Sequence, residues 1–401
     1  MSLLVSSARR LSYPVLIAAS ALLLVSVYLL STRGHGVPYL NTSGSTTTPQ
    51  HELADIDDTR NNTLGFQKIF VIGLPSRTDR RDGIILQTAL SNLEFEFIDG
   101  VDGKDIPDKA IPTSHELQRL DNPTLGAWRA HINAIQEVVR RNLSSALIME
   151  DDADWDVRIR EQMRDFALSA HALTQPLKGS SNKFSDPTFP EAAHGPEAVP
   201  DLTFGKLPAT DAPRNSPYGD NWDVLWLGHC GMHFPFPDKE IVPKGRVVRP
   251  DDVTVPQHKH LWSIYEPSDL RQQYPSHTRV VHHVQDGVCS LAYAVTQKGA
   301  RKLLYELGLK DMTSAFDIEL RWFCEGTGEP SRGRHNCLTV EPSLFQIHLP
   351  AGPKKSNSDI SDHGEGLQEK MTKVLRYSVR MNAEALMDGR LDKLVDQWPD
   401  S

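Results

Sequence analysis

Short apolar runs separated by helix-periodic stretches restrict this chain to an α/β architecture. Lys68-Ile69-Phe70-Val71-Ile72-Gly73-Leu74 is rich in β-branched residues and closed by Pro75 and Ser76, the pattern of a buried strand. Ser76 then reads as the cap of a helix. Glu94-Phe95-Glu96-Phe97-Ile98 alternates polar and apolar before Asp99-Gly100, as a half-buried strand does. Asn122 followed by Pro123 reads as a cap and a first-turn proline, and Leu125, Trp128, Ile132, Ile135 and Val139 then recur at helical spacing. Further strands are expected at Ala146 to Met149, Trp222 to Leu227 and Ser290 to Val295, and a further helix from Gly299 to Leu307. Such alternation predicts a sheet covered on both faces, with ligands at the carboxyl ends of its strands.

That placement gives the acidic cluster its meaning. Glu150, Asp151, Asp152 and Asp154 follow an apolar strand directly, so mutually repelling carboxylates are gathered where such a sheet builds its site. Mg²⁺ or Mn²⁺ relieves the repulsion, commonly through one or two carboxylates plus substrate phosphates. The alternative is a solvated acidic turn.

Composition excludes several classes. With 401 residues, 39% hydrophobic, and a net charge of −9, the chain is neither disordered, collagenous nor multi-spanning. No clustered basic surface of the kind nucleic acid requires is visible. Leu11 to Leu30 carries no charge and is long enough as a helix to cross a bilayer. It is expected to be an uncleaved anchor, a cleaved signal peptide being the rival. Arg9 and Arg10 before it put residues 1–10 in the cytosol and the remainder in the lumen. Residues 31–65, rich in Ser, Thr, Gly and Pro, read as a luminal stem. The sequons at Asn41, Asn61 and Asn142 agree with that address. Cys230, Cys289, Cys324 and Cys337 form an even set that permits disulfides, Cys324 with Cys337 being the preferred pair and four buried thiols the alternative. Residues 171–220 hold eight of the 27 prolines and read as a lid or a disordered insertion; 232–280 reads as a second, loop-rich insertion. Residues 361–401 are expected to form a helical extension, amphipathic from Gln368 to Val395, without chemistry of its own.

Taken in order, several motifs resemble family 25 glycosyltransferases, the enzymes of lipopolysaccharide sugar addition and collagen hydroxylysine galactosylation. They are Val71-Ile72-Gly73-Leu74 with Arg77 and Arg80-Arg81, Gly126-Ala127-Trp128-Arg129-Ala130-His131, Leu147-Ile148-Met149-Glu150-Asp151-Asp152, and Trp222 to Gly228. Tyr293-Ala294-Val295-Thr296, Phe316-Asp317-Ile318 and Pro342-Ser343-Leu344 continue the match, which covers residues 66–360. The resemblance implies a GT-A-type (Rossmann-like) nucleotide-sugar-binding domain behind one N-terminal transmembrane helix. It implies a hexose, galactose above all, moved with inversion from a UDP-sugar to a luminal glycan or protein, in the Golgi or endoplasmic reticulum. The sequence departs from the family pattern at Gly73, where Asn is usual, and at Ala130, where Ser is usual.

Roles follow residue by residue. Asp152 and Glu150 are expected to bind Mn²⁺ or Mg²⁺ at the donor diphosphate, with His348 as a late metal or phosphate contact. Leu74, Arg77, Arg80, Arg81, His131 and Asp151 make up the expected donor site; the arginines suit phosphate oxygens, although they also suit a charged helix surface, and His131 also suits a structural role. Inversion requires a carboxylate to take the acceptor proton. Asp317 is the expected base, with helix capping as its other reading, and Asp286 is held in reserve. Lys354-Lys355 suits either closure over the diphosphate or a solvated turn. Two other classes remain: a catalytically inactive relative acting as a luminal binding protein, and a metal-dependent hydrolase, for which no HExxH, GxSxG or P-loop pattern speaks.

Overall fold

The computed structural model describes residues 54–112, 119–192, 198–360 and 364–400, all within the unit His51–Ser401. In chain order the main elements are β1 (Lys68–Gly73), α1 (Thr78–Leu90), β2 (Glu96–Asp99), α2 (Asn122–Arg140), β3 (Ser145–Glu150), β4 (Ala153–Trp155), α3 (Ile159–Thr174) and β5 (Leu202–Thr203). They continue with β6 (Val224–Gly228), β7 (Arg246–Arg249), β8 (Arg279–His283), β9 (Ala292–Thr296), α4 (Gln297–Tyr305), α5 (Phe316–Glu325), β10 (Cys337–Glu341) and β11 (Phe345–Leu349). Nine strands form one mixed sheet in the order β2-β1-β3-β9-β6-β10-β8-β7-β5. β1 runs parallel to β2 and β3, whereas β9 runs antiparallel to β3 and β6. The expected α/β class therefore holds, with covers on both faces.

Alternation along β1 divides the core. Ile69 and Val71 join Ile84 of α1 and Met163 and Phe166 of α3 on one face. Phe70 and Ile72 join Trp128, Ile132 and Ile135 of α2, Leu303 of α4 and Leu320 of α5 on the other. Period-two strands and 3.6-period helices thus meet as their patterns require. The cap of α2 is Asp121 rather than Asn122, since its Oδ1 accepts the Thr124 N–H at 2.8 Å. Ser76 caps nothing: α1 begins at Thr78 after Arg77, without a side-chain cap.

Other expectations are corrected. Among the described residues no helix is long and apolar enough to cross a membrane, so the expected fold class is corrected to what those residues show, an α/β fold with no spanning helix among them; the stretch 11–30 lies outside the described residues. Residues 171–220 are not structureless: α3 runs into them to Thr174, they add edge strand β5, and they bury Asp186, Thr188, Phe189 and Tyr218. The C-terminal stretch is not one long helix. It forms the short strand Met371–Thr372 on β11 and a single turn of helix at Ala383–Met387. Its buried Thr372, Arg376, Ser378 and Asn382 are spaced for polar contacts with the domain rather than for an apolar helix stripe. All four cysteines pair, as Cys230–Cys289 and Cys324–Cys337.

The 232–280 insertion is tied to the sheet by charge. Arg279 of β8 donates from Nε to Asp252 Oδ2 at 2.7 Å, and both side chains are buried. Burial opposes the Asp252 charge, but Arg279 and the Thr254 hydroxyl and amide outweigh it and hold the carboxyl well below the usual range. A depressed native pKa stabilises the fold above the unfolded value near 4, and that stabilisation is lost as pH falls toward the native value. Asp252→Asn should cost about 3 kcal/mol at pH 7 in urea unfolding. The gap to the native chain should narrow steadily below about pH 4; a gap independent of pH would contradict this assignment.

Candidate active site

Strand register sets the site. Ile72 of β1 lies level with Glu150 of β3, so the two parallel strands end together. Antiparallel β9 brings its amino end to the same edge, where the Glu150 N–H donates to the Leu291 carbonyl at 2.9 Å. The Ser290 hydroxyl donates to Glu150 Oε1 at 2.9 Å. His131 Nε2 lies 3.5 Å from the same oxygen, and its Nδ1 lies 3.1 Å from the Tyr293 hydroxyl. The imidazole also stacks on Phe316, 4.1 Å between centroids. Burial opposes the Glu150 charge, yet His131 and Ser290 hold this carboxyl below its usual range.

The three arginines after β1 divide their tasks. Arg80 enters the cluster, its Nη1 2.9 Å from Asp151 Oδ1 and 3.2 Å from Asp152 Oδ2, while Nη2 donates to the Asn357 carbonyl. Arg81 instead braces the end of β1, donating to the Gly73 carbonyl at 3.1 Å and pairing with Asp99. Arg77 turns to Asp79, at 2.8 Å, and Asp359, at 2.5 Å. Leu74 is half-buried and contributes its carbonyl to the Arg77 N–H at 3.0 Å. Gly73 is required by this packing: a Cβ there would stand 2.3 Å from Asp151 Oδ2. Gly73 thus makes room for the Asp151 carboxylate.

Asp152 is the least satisfied carboxylate of the cluster. Its Oδ1 is buried without a hydrogen-bond partner. Burial pushes its carboxyl up to about 6 despite the nearby Arg80, and burial also raises Asp151. Asp154, by contrast, is saturated. Gln87 and the Trp155 N–H donate to Oδ1, each at 2.8 Å, and the Thr372 and Ser378 hydroxyls donate to Oδ2. Asp154 is therefore a structural carboxylate that docks the C-terminal segment.

That segment also delivers Arg380, which sequence reasoning missed. Its Nη2 donates to the Asp151 carbonyl at 2.8 Å and its Nε to Gln87 at 2.7 Å. Nothing in the local sequence marks it, since it reaches the cluster only through tertiary packing. It ties the C-terminal extension to the turn that carries the acidic cluster. His348 donates its backbone N–H to the Asp152 carbonyl at 2.9 Å, and its Nδ1 lies 2.9 Å from the Thr372 hydroxyl. Burial, with Arg380 and Lys370, pushes its imidazole down to about 3, so it is neutral.

Asp317 lies beside this group. Its Oδ2 accepts the Cys289 N–H at 2.8 Å, next to Ser290, and its Oδ1 accepts the Ile318 N–H at 2.9 Å. Asp286 does not join it. Its amide donates to Glu325 at 2.5 Å and its carboxylate lies 3.6 Å from Arg321, in a separate cluster. Lys354 and Lys355 lie in a short 3₁₀ turn. Among the described residues no three His, Cys, Asp or Glu side chains form a ready cation cage. A Mg²⁺ or Mn²⁺ ion held mainly by substrate phosphates asks for less, and the open Asp152 Oδ1 with Glu150 fits that smaller demand.

The model of "Glycosyltransferase family 25 (LPS biosynthesis protein)" matches residues 66–186, which carry β1, α1, His131 and the acidic cluster. This segment is similar to glycosyltransferase family 25. Similar proteins include procollagen galactosyltransferase 2 of Homo sapiens, 24% identical over 111 residues covering 25% of this chain and 18% of that protein. Procollagen galactosyltransferase 1 of Danio rerio is 26% identical over 113 residues, 25% of this chain and 19% of the relative. The inactive glycosyltransferase 25 family member 3 of Homo sapiens is 26% identical over 115 residues, 26% of this chain and 19% of the relative. The matches thus span about a fifth of these relatives' length. Outside the family 25 segment lie Ser290, Asp317, His348 and Arg380, all brought to its acidic end by the fold.

Gly73→Ala should cost about 1–3 kcal/mol by denaturant unfolding, because the new methyl meets the Asp151 carboxylate. Adding Asp151→Ala should remove most of that cost, a coupling that a double-mutant cycle reads directly. Additive effects would show that the close contact is not the cause.

Proposed function

We propose that this chain is a glycosyltransferase that moves a hexose, galactose in the first instance, from a UDP-sugar to a hydroxyl of a glycan or protein acceptor. The supporting observation is Asp152, buried at the end of β3 with one oxygen unpartnered and Arg80 on the other, inside the family 25 segment. The names of the procollagen galactosyltransferases support the choice of sugar. Asp152 and Glu150 would hold Mn²⁺ or Mg²⁺, with the neutral His348 alongside. When bound, such an ion supplies Lewis-acid stabilisation of the leaving diphosphate.

The chain's own residues do the rest. Arg80, already poised between two carboxylates, offers a guanidinium fork to phosphate oxygens. His131 and Ser290 keep Glu150 ionised and aimed at the site. Asp317 takes the acceptor proton; its two amide bonds fix its carboxylate next to Ser290 and leave lone pairs free to accept. The two disulfides support work in an oxidising compartment.

A second reading is a non-catalytic binding protein. It is favoured by the Arg80–Asp152 pairing, which occupies one metal-facing oxygen, and by the inactive relative. UDP release from UDP-galactose, UDP-glucose and UDP-N-acetylglucosamine, measured with Mn²⁺ or EDTA, separates the two. The transferase reading expects turnover of one donor only with metal, and Asp317→Asn should lower kcat by about 10²–10⁴ while leaving the donor KM in place. No turnover by folded protein would favour the binding protein, and unchanged kcat in Asp317→Asn would remove that residue as the base.

A further inference from the structure

A small cavity of about 30 Å³ opens beside the ends of β6 and β10, away from the acidic cluster. That is room for one water or one hydroxyl group. Three of its lining side chains, each about 4% exposed, carry a buried polar atom with no partner in the protein: His229 Nδ1, Glu341 Oε2 and Gln346 Oε1. Three orphaned atoms around one cavity are costly unless something bonds to them. Trp262 forms part of the wall and is 41% exposed, and Ile264 nearby is 53% exposed. Lys373 Nζ lies 3.3 Å over the Trp262 ring, which pins the indole while leaving that exposure.

The atoms specify what enters. His229 Nε2 lies 3.0 Å from the Val340 carbonyl, so Nε2 bears the proton and Nδ1 presents a lone pair. Gln346 spends its amide on the Ser343 hydroxyl at 2.5 Å and presents its oxygen. Glu341 takes the Met232 N–H on Oε1 at 3.2 Å and has Oε2 left. Burial, with Asp269 close by, pushes its carboxyl up to about 8, so it is protonated at pH 7 and donates. A neutral hydroxyl gives one hydrogen bond and takes another, so it meets the Glu341 donor and one of the two acceptors. An anion would face two lone pairs.

Two links join this cavity to the acidic site. Gln346 stands two residues before His348 on β11, about 7 Å away, and the His348 N–H binds the Asp152 carbonyl. Cys230, in the cavity wall, is bonded to Cys289, whose N–H holds Asp317. We propose that the cavity is a socket for one hydroxyl of a neutral pyranose whose ring rests on Trp262 and Ile264, forming the acceptor subsite. Only the word acceptor rests on the transferase reading.

Saturation-transfer NMR on the full chain tests it with methyl β-galactoside and methyl β-glucoside as probes, without nucleotide or metal. Transfer to at least one glycoside is expected. It should weaken about five- to tenfold in Trp262→Ala and persist in Glu341→Gln, whose amide still donates, with folding of each variant checked by circular dichroism. No transfer to either glycoside, equal transfer in Trp262→Ala, or displacement by methylammonium would overturn the proposal, leaving a buried water or a cation as the occupant. Glycoside binding without donor turnover would uphold the socket and defeat the transferase reading, so the two failures are distinguishable.

Discussion

Carboxylates crowded at one strand end repel each other, and the structure around them is arranged to make that tolerable. Arg80 stands between Asp151 and Asp152, and Arg380 supports the same turn from the far end of the chain. Hydrogen bonds absorb Asp154 entirely, while His131 and Ser290 steady Glu150. Removing one side of a buried ion pair costs more than the pair contributes, so these charges hold one another in place. Among the carboxylate oxygens of this cluster, Asp152 Oδ1 is the one both fully buried and without a hydrogen-bond partner.

The fold radiates from this arrangement. Gly73 is small because Asp151 needs its space, and α1 begins just beyond so that Arg80 can return to the strand end. β11 serves two sites, with His348 beside Asp152 and Gln346 in the neighbouring cavity. The Cys230–Cys289 disulfide joins the end of β6 to the approach of β9, fixing the segment that presents Ser290 to Glu150 and holds Asp317. The 232–280 insertion, anchored by Asp252 and Arg279, brings Trp262 to the cavity mouth.

Much of this was legible in the sequence where the signal is local. The β-branched run of β1, the helical spacing of α2 and the carboxylates after β3 each state their structure within a few residues. A serine after a strand is a weak cap signal, and one further non-helical residue, Arg77, separates Ser76 from the start of α1. The C-terminal stretch misled more deeply. Its apolar spacing suggested a helix, but Thr372, Ser378 and Arg380 are chosen for contacts with Asp154, Asp151 and Gln87, partners more than 200 residues away. No window of sequence contains both sides of such a contact. The same holds for the donor-site arginines: spacing places all three after β1, and only packing shows that, of the three, Arg80 meets the acidic cluster while Arg77 and Arg81 pair with carboxylates outside it.

The central claim is that the open oxygen of Asp152 marks a nucleotide-diphosphate site. Calorimetric titration of UDP into the full chain with Mn²⁺ tests it without requiring a known acceptor. The account predicts saturable binding that EDTA abolishes and that Asp152→Asn weakens at least about tenfold, worth roughly 1.4 kcal/mol. Binding of UDP by Asp152→Asn as tight as by the native chain, or no binding by demonstrably folded protein, would contradict it.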